Sequence, residues 1–361
     1  MGLSCDLFCR VVDNLGDAGV CWRLARQLAK EHGWAVRLWI DDPVPLADLR
    51  PGIDPERDVQ QVDGVEIRHW PADFSGVHPG QVVIESFACE LPAAFVEAMA
   101  SQPKAPVWIN LEYLSAEDWV AGCHGLPSPH PTLPLLKHFF FPGFAPGTGG
   151  LIRARDLPDP PLRNVGAELV VSLFCYDNPA LPALLQAWAE GDEPVSCRVA
   201  EGAARQQVQH WLGRNFPVNA TVRRGSLELI AEPFVAQTEY DRRLVDSDLN
   251  FVRGEDSFVR AQWAQRPFVW QAYPQEDGAH FVKLEAFLKR YTTGLSGDPQ
   301  TRNALTNFWM AWNGRGGIGE TWPAFRGVLP RLTFHGPRWA KEIAKPGNLE
   351  QNLVCFCRER L

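Results

Sequence analysis

The sequence predicts an α/β protein made of two Rossmann-like, doubly wound domains. Three observations predict it. Strand-like apolar runs alternate with amphipathic helical stretches, the pattern of parallel βαβ units. The alternation stops in a proline- and glycine-dense segment between Cys123 and Pro161, then begins again at Glu168. The chain has 361 residues, and single cores rarely grow past about 250–300.

The elements follow in order. Leu3 to Val12 reads as a strand, followed by the polar turn Asp13-Asn14-Leu15-Gly16-Asp17-Ala18-Gly19. A helix comes next, with Val20, Cys21, Leu24 and Leu28 on one face. Val36–Ile40, Val65–Arg68, Gln81–Glu85 and Pro106–Asn110 read as further strands, with a helix over Pro92–Ser101. A short buried strand is expected at Phe139–Phe141 inside the irregular segment. The second run has strands at Leu169–Phe174, Val195–Val199, Leu227–Ala231, Leu249–Val252 and Phe268–Trp270. Its helices cover Pro179–Ala189, Ala203–Leu212, a stretch from Asp256, and Gly278–Tyr291. Three terminal helices are expected near Arg302–Trp312, Pro323–Leu329 and Trp339–Ala344. Two such domains suggest a cleft, with ligands beyond the carboxyl ends of the strands.

Composition narrows the function. Thirty-five basic against 43 acidic side chains leave a net charge of −8, which disfavours a nucleic-acid binder. No apolar run is long enough for a membrane span, and Cys5, Asp6 and Arg10 interrupt any signal-peptide core, so a cytoplasmic protein is expected. The nine cysteines are scattered without a CxxC pair and read as reduced, mostly buried thiols. No HxxxH spacing supports a metal. The 14 tryptophans serve either large cores or a stacking surface.

Two strand-end loops carry chemistry. In the first, Asp13 and Asp17 flank Gly16. The plain structural reading is a helix cap and a turn bond. The functional one is a carboxylate pair, suited to a general base or to clamping a cation; two negative charges argue against a pyrophosphate there. In the second, Asn250-Phe251-Val252-Arg253-Gly254-Glu255-Asp256-Ser257 runs from a buried strand into a helix. Free N–H groups at Asp256, Ser257 and Phe258, with Arg253 beside them, can hold a phosphate; simple capping weighs equally. Phe174, Tyr176, Phe234, Gln237 and Tyr240 are placed to stack a base and bond its edge, although core packing is the commoner fate of each Phe. Tyr273, in Trp270-Gln271-Ala272-Tyr273-Pro274-Gln275, is a further pocket wall or part of a Pro-stabilised turn. Asn313-Gly314-Arg315-Gly316-Gly317 follows a helix and reads as a helix–helix turn.

Five segments resemble the bacterial elongation factor P arginine rhamnosyltransferases (EarP). They are Val12-Asp13-Asn14-Leu15-Gly16-Asp17-Ala18-Gly19-Val20-Cys21-Trp22-Arg23-Leu24-Ala25, Asn110-Leu111-Glu112-Tyr113-Leu114-Ser115, Phe139-Phe140-Phe141-Pro142-Gly143-Phe144, Phe251-Val252-Arg253-Gly254-Glu255-Asp256-Ser257 and Tyr273-Pro274-Gln275. They span most of the chain in the family's order.

The resemblance implies a GT-B glycosyltransferase. Residues 1–160 would form the acceptor-side domain and 161–344 the nucleotide-sugar domain, with a helix over about 345–361 packing back on the first. The donor would be TDP-β-L-rhamnose. The acceptor would be one arginine of elongation factor P, glycosylated with inversion and without a metal. Asp13, Asp17 and Glu255 match catalytic carboxylates, with Asp17 as the base. Asn14 and Gly16 lie in the same loop. Phe174, Tyr176, Phe234, Gln237, Arg253, Asp256, Ser257 and Tyr273 match the donor region. Glu255 either contacts sugar hydroxyls or helps to set the guanidinium. Two other classes share parts of this pattern: a nucleotide-sugar transferase with another acceptor, and a non-catalytic partner of a translation factor.

Overall fold

The computed structural model describes residues 2–13, 15–153, 157, 160, 168–275 and 278–361. The chain divides into two units, Met1–Arg155 with Ile343–Leu361, and Asp156–Glu342. The expected break near residue 160 falls in a stretch that lies largely outside the described residues.

Unit 1 runs β1 (Ser4–Cys9), α1 (Leu15–His32), β2 (Ala35–Ile40), α2 (Val44–Leu49), β3 (Val59–Val62), β4 (Val65–His69), β5 (Val82–Ser86), α3 (Ala93–Ala100), β6 (Val107–Leu111), α4 (Val120–Cys123), β7 (Pro127–Pro129) and β8 (Leu136–Phe140). The sheet order is β3-β4-β2-β1-β5-β6-β8-β7. Pairing is parallel except for the edge hairpins β3/β4 and β7/β8. The interior strands are almost wholly apolar, as a sheet covered on both faces requires. Asp6, fully buried in β1, is a charged exception, as is Glu85 in β5. Asp6 takes two bonds of 2.7 Å from Arg37, one of 2.8 Å from Trp39 Nε1 and one of 2.7 Å from Gly80 N–H, so its charge is compensated.

Unit 2 runs β9 (Leu169–Leu173), α5 (Leu181–Glu190), β10 (Val195–Val199), α6 (Ala203–Leu212), β11 (Thr221–Arg224), β12 (Leu227–Ala231), α7 (Gln237–Val245), β13 (Leu249–Arg253), α8 (Asp256–Trp263), β14 (Phe268–Gln271), α9 (Ala279–Tyr291), α10 (Pro299–Trp312) and α11 (Ile318–Ile343). Its sheet order, β11-β12-β10-β9-β13-β14, repeats the first six strands of unit 1 position for position. The last helix, α12 (Leu349–Arg358), belongs to unit 1. Leu349 N–H bonds the Leu151 carbonyl at 3.1 Å, Asn352 Nδ2 bonds the Gly149 carbonyl at 3.0 Å, and Phe356 meets Phe140 edge-on at 5.6 Å.

Most of the tryptophans fill cores, although Trp119 is 50% exposed. Trp22, Trp39, Trp188, Trp309 and Trp312 are fully buried. Phe8 alone touches Trp39, Trp70, Phe74 and Phe95 at centroid distances of 4.8–5.9 Å, and each aromatic pair adds about 0.5–1.5 kcal/mol beyond its area. All nine cysteines, every one a described residue, are free thiols. No described helix is long and apolar enough to cross a membrane.

The structure corrects several expectations. The first strand ends at Cys9, not Val12, because Val11 N–H turns to Asp41 Oδ1 (2.8 Å) and Val12 N–H to Asp17 Oδ2 (2.9 Å). The edge strands β3, β7 and β11 went unread, since Val-Gln-Gln-Val, Pro-Ser-Pro and Thr-Val-Arg-Arg carry no apolar alternation, and the buried strand expected at Phe139–Phe141 is instead β8, Leu136–Phe140, buried only at its last residue. Pro323–Leu329 and Trp339–Ala344 are parts of one helix, α11, which contains Pro323, Pro330 and Pro337. A mid-helix proline normally costs about 3 kcal/mol. Here the prolines recur every seven residues, about two turns, so their lost bonds fall on one face. Buried Phe325, Val328, Leu329, Leu332 and Ile343 hold the helix together.

Candidate active site

In unit 1 the chain leaves β1 and enters α1 through the carboxylate loop. Asp17 sits in the first turn of α1 and is 2% exposed. Its Oδ2 reaches back to accept from Val12 N–H (2.9 Å) and Asp13 N–H (2.8 Å). Its Oδ1 accepts from the Tyr113 hydroxyl at 3.3 Å. One oxygen therefore ties the loop, and the other meets the Tyr113 hydroxyl. Asp13 is only partly buried, and its carboxylate lies against Gly16; a Cβ there would meet Asp13 Oδ2 at 2.5 Å. The glycine is what lets the two acidic residues share one turn. Asn14 lies outside the described residues.

A second loop faces the first, after β5. Phe87, Ala88 and Glu90 all have left-handed backbone, with φ of 58°, 53° and 56°. Such residues persist only where their surroundings over-determine them. Here Asn110 accepts from Ala88 N–H (3.2 Å), Glu85 accepts from Glu90 N–H (3.2 Å), and Phe87 N–H bonds the Leu111 carbonyl (2.7 Å). Glu85 and Asn110 are register partners on adjacent strands and are buried. The Phe87 ring stacks on Tyr113 at 4.3 Å with planes 11° apart. Below the loop, burial and then the neighbouring Glu85 push the Cys89 thiol up to about 12, which removes it as a nucleophile.

In unit 2 the corresponding strand ends gather a cation and aromatic rings. The Arg253 guanidinium lies over Phe174 at 4.5 Å and Tyr176 at 4.3 Å. Tyr273 meets Tyr176 edge-on at 5.4 Å, and Tyr240 meets Phe174 at 5.8 Å. Burial pushes the Tyr240 hydroxyl well above its ordinary range, keeping it protonated. Gln271 holds the β9 loop by accepting from Tyr176 N–H at 2.9 Å and donating to the Asp177 carbonyl at 3.2 Å. Gly254 provides the left-handed turn, φ 58°, and Trp270 Nε1 bonds its carbonyl at 2.8 Å. Ser257 Oγ accepts from Arg253 N–H at 3.0 Å and donates to the Arg253 carbonyl, fixing the start of α8. Buried Asp256 accepts from Gln237 Nε2 at 3.2 Å, joining α7 to α8. Glu255 is the residue before α8, half-buried, with its carbonyl bonded to Val259 N–H.

A family model described as elongation-factor P (EF-P) rhamnosyltransferase EarP matches residues 5–358. The chain belongs to that family. A protein-arginine rhamnosyltransferase of Pseudomonas putida is 47% identical over 380 residues, with all of both chains covered. A solved structure described as the structural basis for EarP-mediated arginine glycosylation of translation elongation factor EF-P is similar along 99% of this chain and 100% of its own. Its TM-score is 0.68 and its identity 34%. The calicheamicin glycosyltransferase CalG4 shares the fold at TM-score 0.56 and 12% identity, covering 100% and 99% of the two chains. This EarP-family chain is thus an enzyme of the glycosyltransferase class with the GT-B fold.

Within unit 1 the sequence-read residues Asp13, Gly16 and Asp17 come together. Within unit 2 Phe174, Tyr176, Arg253 and Tyr273 form one cluster, and Gln237 with Asp256 a pair. Phe234 is 37% exposed in the approach to α7, and its N–H bonds Glu201 at 3.1 Å. Sequence reasoning missed Phe87 and Glu85 as site-building residues; Gln271 entered only within the pocket-wall segment, Tyr113 only inside a family motif, and Asn110 there and as a strand end. Glu85, Asn110 and Gln271 did leave a signal: each is a polar residue in the last two positions of a largely apolar parallel strand.

Proposed function

We propose that this enzyme transfers rhamnose from TDP-β-L-rhamnose to an arginine guanidine of elongation factor P, with inversion and without a metal. Unit 1 takes the acceptor and unit 2 the donor. The observation that carries the reading is the Asp13/Asp17 loop, where a buried carboxylate keeps one oxygen for chemistry beside a more open second carboxylate. That is what an arginine acceptor demands. A guanidinium with a pKa of about 12.5–13.8 is a poor nucleophile, so it must be bound as a cation and lose a proton as it attacks. Asp13 clamps and orients it. Asp17 takes the proton as the guanidine nitrogen bonds the anomeric carbon and the bond from that carbon to the diphosphate oxygen breaks, releasing TDP.

The leaving group needs positive charge. Arg253 supplies it, with the N-terminal N–H groups of α8 at Asp256 and Ser257. The Asp256 carboxylate bonds Gln237, so its contribution to the donor is the backbone N–H. Phe174, Tyr176 and Tyr273 flank the thymine, with Phe234 at its margin. Glu255 contacts the sugar hydroxyls, because an ionised carboxylate beside a diphosphate would repel it. A translation factor as partner implies a cytoplasmic enzyme.

The test is direct. The enzyme is mixed with TDP-β-L-rhamnose and elongation factor P, and the product is weighed. One added deoxyhexose, placed on arginine by fragmentation and insensitive to EDTA, is expected. An unmodified factor alongside sugar transfer to another acceptor favours the small-molecule transferase. No transfer and no TDP release favours the non-catalytic partner.

A further inference from the structure

We infer that Phe87 and Tyr113 are positioning residues for Asp17: the left-handed loop after β5 aims an aromatic stack whose hydroxyl fixes the working oxygen of the carboxylate. The inference rests on the reading of Asp17 as the base.

The two units supply the argument between them. β5 and β13 occupy the same place in the repeated strand order, each beside the central strand. The residue immediately after β13 is Gly254 and that after β5 is Phe87, and both have φ of 58°. Glycine enters this backbone region without steric penalty, whereas a phenylalanine is held there only by its surroundings. Unit 2 uses the residue the geometry favours. Unit 1 places a large ring there and adds two more left-handed non-glycine residues, Ala88 and Glu90. Buried Asn110 and Glu85 hold that backbone from beneath.

The strain has a visible product. The ring of Phe87 lies flat on Tyr113 at 4.3 Å, and Tyr113 donates to Asp17 Oδ1 at 3.3 Å. Tyr113 itself is 37% exposed, so burial in a core does not fix its ring. The stack does. The other Asp17 oxygen is already bound by two backbone N–H groups. The Tyr113 bond therefore sets the orientation of the oxygen that must meet the acceptor, and general-base catalysis depends on that geometry.

The experiment is steady-state kinetics of the full-length enzyme with TDP-β-L-rhamnose and elongation factor P. The variants are Tyr113→Phe, Phe87→Leu, Phe87→Tyr, the double variant Tyr113→Phe/Phe87→Leu, and Asp17→Asn as reference. Tyr113→Phe is expected to lower kcat by roughly ten- to a hundredfold, the scale of one hydrogen bond to a charged group. Both KM values and TDP affinity by calorimetry should stay within about twofold, since only the chemical step is touched. Phe87→Leu lowers kcat less, Phe87→Tyr restores most of that loss, and Phe87→Leu adds nothing once Tyr113→Phe is present. Unchanged kcat in Tyr113→Phe overturns the inference, as do additive losses in the double variant. If Phe87→Leu does not fold, Tyr113→Phe decides alone, because it keeps the stacked ring. An active Asp17→Asn would defeat the base reading and this inference with it. An inactive Asp17→Asn beside a fully active Tyr113→Phe would defeat this inference only.

Discussion

The two units share the order of six strands but end them in different residues where the chemistry is expected. In unit 1 the chain beyond the central strand bears Asp13 and Asp17. In unit 2 the equivalent loop bears Phe174 and Tyr176, covered by the Arg253 guanidinium. The repeated fold therefore fixes where a site sits, and the residues at the strand ends decide its sign and its substrate. A cation acceptor suits the first set, an anionic leaving group the second.

Five experiments break or sharpen that contrast. The largest effect is expected from Asp17→Asn, which should lower kcat by about 10²–10⁴ while TDP binding by calorimetry is retained. Weakened TDP binding would mean the units do not divide the work by charge. Next is Arg260→Met. Arg260 and Asp241 form a buried bidentate pair at 2.8 and 2.6 Å, and removing one partner strands a buried charge. Denaturant unfolding should show a loss of about 3–5 kcal/mol. Arg253→Leu should weaken TDP about ten- to a hundredfold, the worth of one charge-assisted contact. Asp13→Asn should leave it unchanged.

Gly254→Ala should cost unit 2 about 1–2 kcal/mol, the penalty of a left-handed Cβ. A neutral result would weaken the comparison with Phe87. The smallest effect concerns His335. Its Nε2 lies 2.9 Å from the Tyr291 carbonyl, and burial lowers its pKa below the usual His range of about 6.5. The folded state thus binds the proton less readily than the unfolded one. His335 contributes stability above the ordinary His range, and this is lost as pH falls through its lowered value. The melting temperature of wild type should fall more between pH 7 and pH 5 than that of His335→Gln.

How much of this was legible in the sequence depended on distance along the chain. The parallel strands announce themselves, because a strand buried on both faces is an unbroken apolar run. The Asp13–Asp17 turn and the Arg253–Ser257 turn were legible as polar residues closing such runs. The hairpin strands β3 and β11 were not, since they exist only by pairing with neighbours. Nothing in Ser86-Phe87-Ala88 signals left-handed backbone, because its cause lies in side chains such as Asn110 from another strand. The continuity of α11 was hidden for the same reason: local proline signals lost to long-range burial.

One feature of the fold bears on the order in which the protein is made. The first-built unit is finished by the last helix, since α12 contributes buried Leu349, Leu353, Val354 and Cys357 to unit 1. All of unit 2 is translated in between, which at about 5–20 residues per second takes on the order of ten to forty seconds. Throughout that interval the nascent chain lacks the helix whose Leu349 bonds the Leu151 carbonyl and whose Phe356 meets Phe140. The carboxylate unit is therefore the one whose core closes only after the intervening unit 2 has been made.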